Sequence, residues 1–178
     1  MDAIYFYVLA RLGLPLPFAR RTPMKWITRE RPKIDRIACP WLIRRFVDPQ
    51  AEFLFVPPDR VIAEAERLGA IPFDVPGVEL THEGPLCSFD AVLKKYGLRD
   101  PALDRLADIV RAADTDTLSR SPQAPGLLAI SLGLSANIPD DHALLAVGMT
   151  IYDALYTWCK HLGNERHSWY PSTIMAYR

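Results

Sequence analysis

One stretch organises the rest of the sequence, Lys33-Ile34-Asp35-Arg36-Ile37-Ala38-Cys39-Pro40-Trp41-Leu42-Ile43-Arg44-Arg45-Phe46. It brings four cations, one carboxylate, a thiol and a tryptophan into otherwise apolar sequence. Two backbone conformations suit it: a helix capped by Asp35 with Pro40 inside, or a helix that begins at Pro40. An interior proline removes an amide donor and clashes with the preceding turn, whereas proline at the first helical position loses nothing. We therefore predict a helix over residues 40–47.

A helix that begins at Pro40 has a chemical consequence for Cys39. The free amides and the macrodipole of a helix N-terminus favour an anion, so a thiol placed there ionises more easily. The neighbouring cations could converge on an oxyanion, and this candidate anion site consists of Lys33, Arg36, Arg44 and Arg45. A structural role is equally open, in which Cys39 is a core residue and the arginines pair with Asp35 and Asp48.

A second focus is Thr81-His82-Glu83-Gly84-Pro85-Leu86-Cys87-Ser88-Phe89-Asp90. His82 ends a predicted strand, and Cys87 comes just before a predicted helix whose first turn holds Asp90. A carboxylate that follows the next predicted helix, Asp114 or Asp116, could complete a His/Cys/carboxylate set for one divalent transition metal. Each residue also has a plainer explanation: a hydrogen-bonded histidine, a core thiol, a helix-dipole carboxylate and loop-shaping aspartates.

The pattern of apolar residues changes near Ser88, and this change predicts the fold class. Short apolar runs bounded by turn residues predict strands at residues 25–28, 52–56, 70–73 and 78–81. Apolar positions at 3.6-residue spacing predict helices at residues 59–68, 88–97, 101–113, 126–134 and 142–162. We predict an α+β fold, in which a layer of α-helices from the second half covers a small mixed β-sheet from the first half.

Composition limits the possible functions. The 178 residues suffice for one domain with a real core. Lys+Arg 21 equals Asp+Glu 21, so no general basic excess favours nucleic-acid binding. The three cysteines form no CxxC pair, which favours free thiols in a reducing, cytoplasmic compartment and makes a closed cysteine-rich zinc site unlikely by composition.

The two ends of the sequence differ from the central region, residues 24–162. Residues 1–23 are apolar, but Arg11, Pro15 and Pro17 break the run, which is too short to span a bilayer. We interpret them as an extension that packs on the domain or on a partner, with a signal anchor as the alternative, and we expect no membrane insertion. Residues 163–178 form a polar and aromatic tail.

Several segments together resemble a known family. They are Lys25-Trp26-Ile27-Thr28-Arg29-Glu30-Arg31-Pro32 continuing through the first stretch to Val47-Asp48-Pro49, then Gly69-Ala70-Ile71-Pro72-Phe73-Asp74, Gly77-Val78-Glu79-Leu80, His82, Cys87-Ser88-Phe89-Asp90 and Tyr152-Asp153-Ala154-Leu155-Tyr156. In order and spacing they resemble the ChrB-type chromate-resistance domain over residues 25–161.

The resemblance implies a chromate-resistance accessory or sensor domain that binds an oxyanion. The ligand-binding candidates are Lys33, Asp35, Arg36, Trp41, Arg44, Arg45 and His82. Family members often carry histidine at the position of Arg111, and arginine there favours an anion pocket. In the family's regulators an additional N-terminal portion accompanies this domain, so we expect no independent DNA binding here.

Two other functions remain open, and both concern the same parts of the chain. Related domains occur beside sulfurtransferase-like modules, so Cys39 or Cys87 could be the thiol of a sulfurtransferase or redox enzyme. Alternatively, His82, Cys87 and Asp114 could bind a metal. A homodimer is also possible.

Overall fold

The computed structural model describes residues 23–163. Three strands form one sheet in the order β2-β1-β3: β1 (Lys25–Arg29), β2 (Glu52–Val56) and β3 (Ile71–Pro72). Trp26 of β1 lies opposite Phe53 of β2 and Ile71 of β3. The predicted strand at residues 78–81 contributes only a bridge between Phe73 and Leu80.

The predicted α+β class is confirmed, but the strands are all parallel where a mixed sheet was expected. The reason lies in the connections. A parallel pair needs a long crossover, usually a helix, and each successive pair of strands is joined by one. These helices are α1 (Asp35–Phe46) and α2 (Val61–Leu68).

Alternate residues of β1 bury against different elements. Trp26 belongs to the large core that α1 and the later helices share. Ile27 packs in a smaller core with Val61 and Ala65 of α2. The two crossover helices therefore cover opposite faces, and the strand order reverses between β1 and β3. In open parallel sheets such a reversal leaves a crevice at the carboxyl ends of the strands, where ligands commonly bind.

Helix α1 begins earlier than predicted. It starts at Asp35 and carries Pro40 in its interior, so the preferred start at Pro40 is wrong. An interior proline costs about 3 kcal/mol, and burial offsets that cost because the helix is buried almost continuously from Asp35 to Ile43. Cys39 therefore lies in the middle of a buried helix and not at its N-terminus.

Four further helices form the predicted helical layer. They are α3 (Ser88–Tyr96), α4 (Pro101–Asp114), α5 (Ala124–Asn137) and α6 (Asp141–Thr157), which continues as a π-helical turn over Trp158–Leu162. Helix α3 ends at Gly97 in the left-handed conformation, as the sequence predicts. Across residues 23–163, no helix is both long and apolar enough to cross a membrane.

The sequence predicts an additional segment on each side of the central domain. The apolar extension at residues 1–23 and the tail at residues 163–178 lie outside the described residues, apart from positions 23 and 163.

Candidate metal centre

Four side chains meet where β1 and β3 end: Asp35, Asp74, His82 and Asp114. One ligand atom from each lies within 4.8 Å of all the others. His82 Nε2 is 3.0 Å from Asp114 Oδ2 and 3.7 Å from both Asp35 Oδ2 and Asp74 Oδ1. We call these four residues the carboxylate–histidine cluster.

Each member of the cluster comes from a different segment. Asp35 is the first residue of α1, and Asp114 is the last residue of α4. Asp74 follows β3, and His82 follows the bridge at Leu80. The cluster therefore occupies the crevice at which the strand order reverses, the usual ligand position in parallel sheets.

The backbone just before Asp35 is strained. Ile34 has φ 40° and ψ −101°, a conformation that β-branched residues rarely adopt. Its amide donates to Ser131 Oγ at 3.1 Å, and its carbonyl accepts from the Tyr152 hydroxyl at 3.2 Å. Asp74 also has a positive φ, 51°. Strain of this kind persists where surrounding structure enforces it, often at functional sites.

Hydrogen bonds hold the two most buried carboxylates. Asp35 Oδ2 accepts from the Ser88 amide at 2.5 Å, and Asp74 Oδ1 accepts from the Ser88 hydroxyl at 3.0 Å. Arg29 donates to Asp74 Oδ2 at 2.7 Å, and Arg36 Nε lies 3.3 Å from the same oxygen. Asp35 Oδ1 is buried and accepts no hydrogen bond of standard geometry from residues 23–163.

The cluster concentrates negative charge. Burial raises the pKa of Asp35 well above its ordinary value, and the charges of Asp114 and Asp74 raise it further. Burial and Asp74 likewise raise the pKa of Asp114, while His82 opposes the shift. Removing carboxylates from water and placing them close to one another is costly, and a bound cation reduces both costs.

A cavity of about 300 Å³ opens onto the cluster. Its lining includes the basic residues Arg29, Lys33 and Arg36 and the apolar residues Ala113, Leu128 and Leu132. Of the predicted anion site, Lys33 and Arg36 thus lie at the cavity.

The remaining cations of that predicted site lie elsewhere. Arg44 donates to the Ala51 carbonyl at 3.0 Å and lies over the Phe53 ring. Arg45 pairs with Asp153 at 2.5 Å, and that carboxylate also accepts from Trp41 Nε1 at 2.8 Å. The expected convergence with Arg36 does not occur. Arg36 precedes Arg44 and Arg45 by eight and nine residues, which is roughly 12–14 Å along α1 at 1.5 Å per residue. Arg36 therefore lies near the start of the helix, whereas Arg44 and Arg45 lie near its end.

Of the residues predicted to bind metal, the structure brings His82 and Asp114 together. Cys87 lies next to the cluster but is not among its four donors. Asp90 accepts from the Cys87 amide at 3.0 Å and from Arg111 at 2.6 and 2.9 Å, so its oxygens are already satisfied. Arg111 therefore forms an ion pair with Asp90 and does not line the cavity. Asp116 is not among the cluster residues either.

Asp74 was not predicted as a site residue. Its signal was available, because it directly follows an apolar run that forms β3, and carboxyl ends of parallel strands are common ligand positions. That rule holds for parallel strands, and the sequence predicts a mixed sheet. Asp35 was predicted, but as part of an anion site.

All three thiols are buried. Burial raises the pKa of Cys39 well above its ordinary value, and nearby carboxylates add to the shift. Burial also raises the pKa of Cys87, although Cys87 does precede a helix as predicted. A reactive cysteine needs exposure and a lowered pKa, and neither residue has them.

The fold and the cluster define an α+β domain whose parallel sheet holds buried carboxylates and a histidine at the reversal of strand order. The chain belongs to the family described as ChrB, C-terminal domain, whose model matches residues 26–159. It is 37% identical over 134 residues to Protein ChrB of Cupriavidus metallidurans strain CH34. That match covers 75% of this chain and 40% of the relative, so the chain spans less than half the relative's length. No solved structure matches the chain significantly.

Proposed function

We propose that the chain acts in chromate resistance as a domain that binds one divalent transition-metal ion in the carboxylate–histidine cluster. The chromate-resistance role rests on membership of the ChrB family. The metal role rests on a single observation: one ligand atom from each of Asp35, Asp74, His82 and Asp114 lies within 4.8 Å of the rest.

The donor set indicates which ions to test. Three carboxylates and one imidazole offer mainly oxygen, which suits Mn²⁺, and the imidazole adds affinity for Zn²⁺ and Fe²⁺. Asp35 Oδ2 lies 3.7 Å from His82 Nε2, and Asp35 Oδ1 accepts no standard hydrogen bond from residues 23–163, so this carboxylate has acceptor capacity left for an ion. An ion would also offset the burial and the mutual repulsion that together raise the pKa of Asp35 and Asp114.

Calorimetric titration of chelator-treated protein with Mn²⁺ and Zn²⁺ tests the proposal. We expect one site per chain and a large loss of affinity in Asp114→Asn. Asp108→Asn is the matched control, because Asp108 is an exposed aspartate on the same helix. No binding by the wild type, or equal binding by both variants, would contradict the metal centre.

Oxyanion binding is the second candidate, and one observation favours it: Arg29, Lys33 and Arg36 line the same cavity. The test is titration with chromate and sulfate at two ionic strengths, since long-range attraction weakens with salt. We expect Lys33→Gln to weaken binding while Arg45→Lys leaves it unchanged, because Arg45 is engaged with Asp153. If Arg45→Lys weakened binding and Lys33→Gln did not, the anion site would lie at the C-terminal end of α1.

Other partners and the location remain predictions. A cytoplasmic location follows from the sparse cysteines, and self-association as a homodimer would be measured by sedimentation. Independent nucleic-acid binding is not expected from the balanced charge.

A further inference from the structure

We infer that the cavity takes an organic anion, with an oxyanion head directed to the cluster and an apolar body against α5. This inference deepens the proposed function and rests on it. Its starting point is the composition of the cavity lining, which includes both basic and apolar side chains.

The apolar part has a regular origin in helix α5. Leu128 and Leu132 are four residues apart, so they lie on one face of the helix. Ala113, at the end of α4, lies at the same cavity. An inorganic oxyanion makes only polar contacts and gains nothing from this surface, whereas a hydrocarbon group gains free energy by covering it.

The exposure of Leu132 supports a ligand role. Large hydrophobic side chains exposed on the described part of the chain are Ile62, Ile130, Leu132 and Val147. Of these, Leu132 alone lines the cavity beside the cluster, with 47% of its surface exposed. Exposed apolar surface beside converging polar groups is typical of small-molecule sites.

The size of the cavity agrees with this chemistry. Its volume of about 300 Å³ is roughly ten times the ~30 Å³ that a water molecule occupies in the liquid. Pockets for small organic ligands begin at about this volume. A metal ion with a small inorganic anion would leave the space beside Leu128 and Leu132 filled only with water.

The basic residues of the cavity supply positive charge that complements the oxyanion head of the ligand. Arg29 and Arg36 are already engaged with Asp74. Lys33 forms no salt bridge with any residue in the range 23–163, which leaves its ammonium group for a ligand. A bound divalent ion would add positive charge at the cluster, so an anionic group would be attracted from both sides.

The test compares methyl phosphate with phenyl phosphate, which share the same head and differ in their apolar body. Calorimetric titration of Mn²⁺-loaded full-length protein should give at least about tenfold tighter binding of phenyl phosphate, since a phenyl ring buries far more apolar surface than a methyl group. Leu132→Ala should reduce that preference by about threefold or more. Ile130→Ala is the control, because Ile130 is exposed to 50% on the same helix but does not line this cavity.

The outcomes separate the two proposals. Wild-type protein that binds neither Mn²⁺ nor Zn²⁺ contradicts the proposed function and the present inference together. Protein that binds Mn²⁺ but neither phosphate, or both equally, contradicts only the inference. An equal loss of preference in Leu132→Ala and Ile130→Ala would also overturn it, because the apolar contact would then not be specific to this wall.

Discussion

His82 Nε2 lies 3.0 Å from Asp114 Oδ2, so the loop that follows β3 is joined to the last residue of α4. The histidine side chain is 39% exposed, whereas that of Asp114 is only 19% exposed. The contact therefore lies on the more exposed side of a cluster whose other carboxylates are buried. If a metal ion bound here, His82 and Asp114 would each bond to the ion instead of to one another.

Asp35→Asn should stabilise the metal-free protein at pH 8. A carboxyl whose pKa is raised on folding stabilises the fold below its unfolded pKa and loses that contribution as pH rises through the folded pKa. The wild type therefore bears the cost of ionising a buried group at high pH. We expect a gain on the order of 1–2 kcal/mol, measured by urea unfolding at pH 5 and pH 8. An Asp35→Asn variant that is less stable than the wild type at pH 8 would contradict the raised pKa of Asp35. The control variant Asp108→Asn should change the free energy of unfolding little.

Metal affinity should rise with pH. Bound metal requires ionised ligands, and protons compete for the two carboxyls whose pKa is raised, Asp35 and Asp114. Titration with Mn²⁺ at pH 5.5 and 7.5 should show tighter binding at the higher pH, with proton release detectable from the buffer dependence of the heat. Affinity that is independent of pH would show that these carboxyls are not ligands.

Tyr152→Phe should weaken metal binding without removing a ligand. The hydroxyl holds the carbonyl of strained Ile34, the residue just before Asp35. Loss of a group that orients a ligand typically costs roughly 10-fold or more in metal affinity. Tyr156→Phe is the control, because it loses a comparable hydroxyl bond of 2.6 Å to Asp100 outside the cluster. A purely structural role would lower thermal stability in both variants and leave both metal affinities unchanged.

Gly148→Ala should destabilise the fold. A Cβ atom at Gly148 would lie 2.4 Å from Ile37 Cγ2, a methyl carbon bonded directly to the Cβ of a buried, branched side chain. Overpacking of this kind costs about 1–3 kcal/mol. Gly133→Ala, where a Cβ would meet no atom of residues 23–163 within 4 Å, should instead stabilise α5 by about 0.5–1 kcal/mol. Urea unfolding of both variants is the measurement, and equal stability of the two would contradict the packing of α6 on α1.

The native protein should resist thiol alkylation. All three cysteines are buried, and burial raises the pKa of each. Iodoacetamide at pH 8 should modify no cysteine on the time scale on which urea-unfolded protein takes up three labels, as counted by mass spectrometry. Rapid labelling of Cys39 or Cys87 in the folded protein would revive the sulfurtransferase or redox alternative.

Some of the site could be predicted from local sequence. His82 follows a short apolar run, and Asp114 ends a helical pattern, so both could be placed at element ends that face a cleft. Cys87 was predicted with them because it precedes a helix, and that position is correct. Tertiary geometry decided against the thiol as a donor, since Cys87 is not among the residues whose ligand atoms lie within 4.8 Å of one another.

The sequence by itself determined the secondary structure of most segments, because strand runs, helical spacing and stop signals such as Gly97 act within a few residues. It did not determine where α1 begins, because burial from Asp35 to Ile43 outweighs the local cost of Pro40. Only the tertiary structure decided that the strands are parallel, that Asp74 joins the cluster, and that Arg36 and Arg45 lie apart. These outcomes depend on contacts between residues distant in sequence, and local patterns carry no information about such distances.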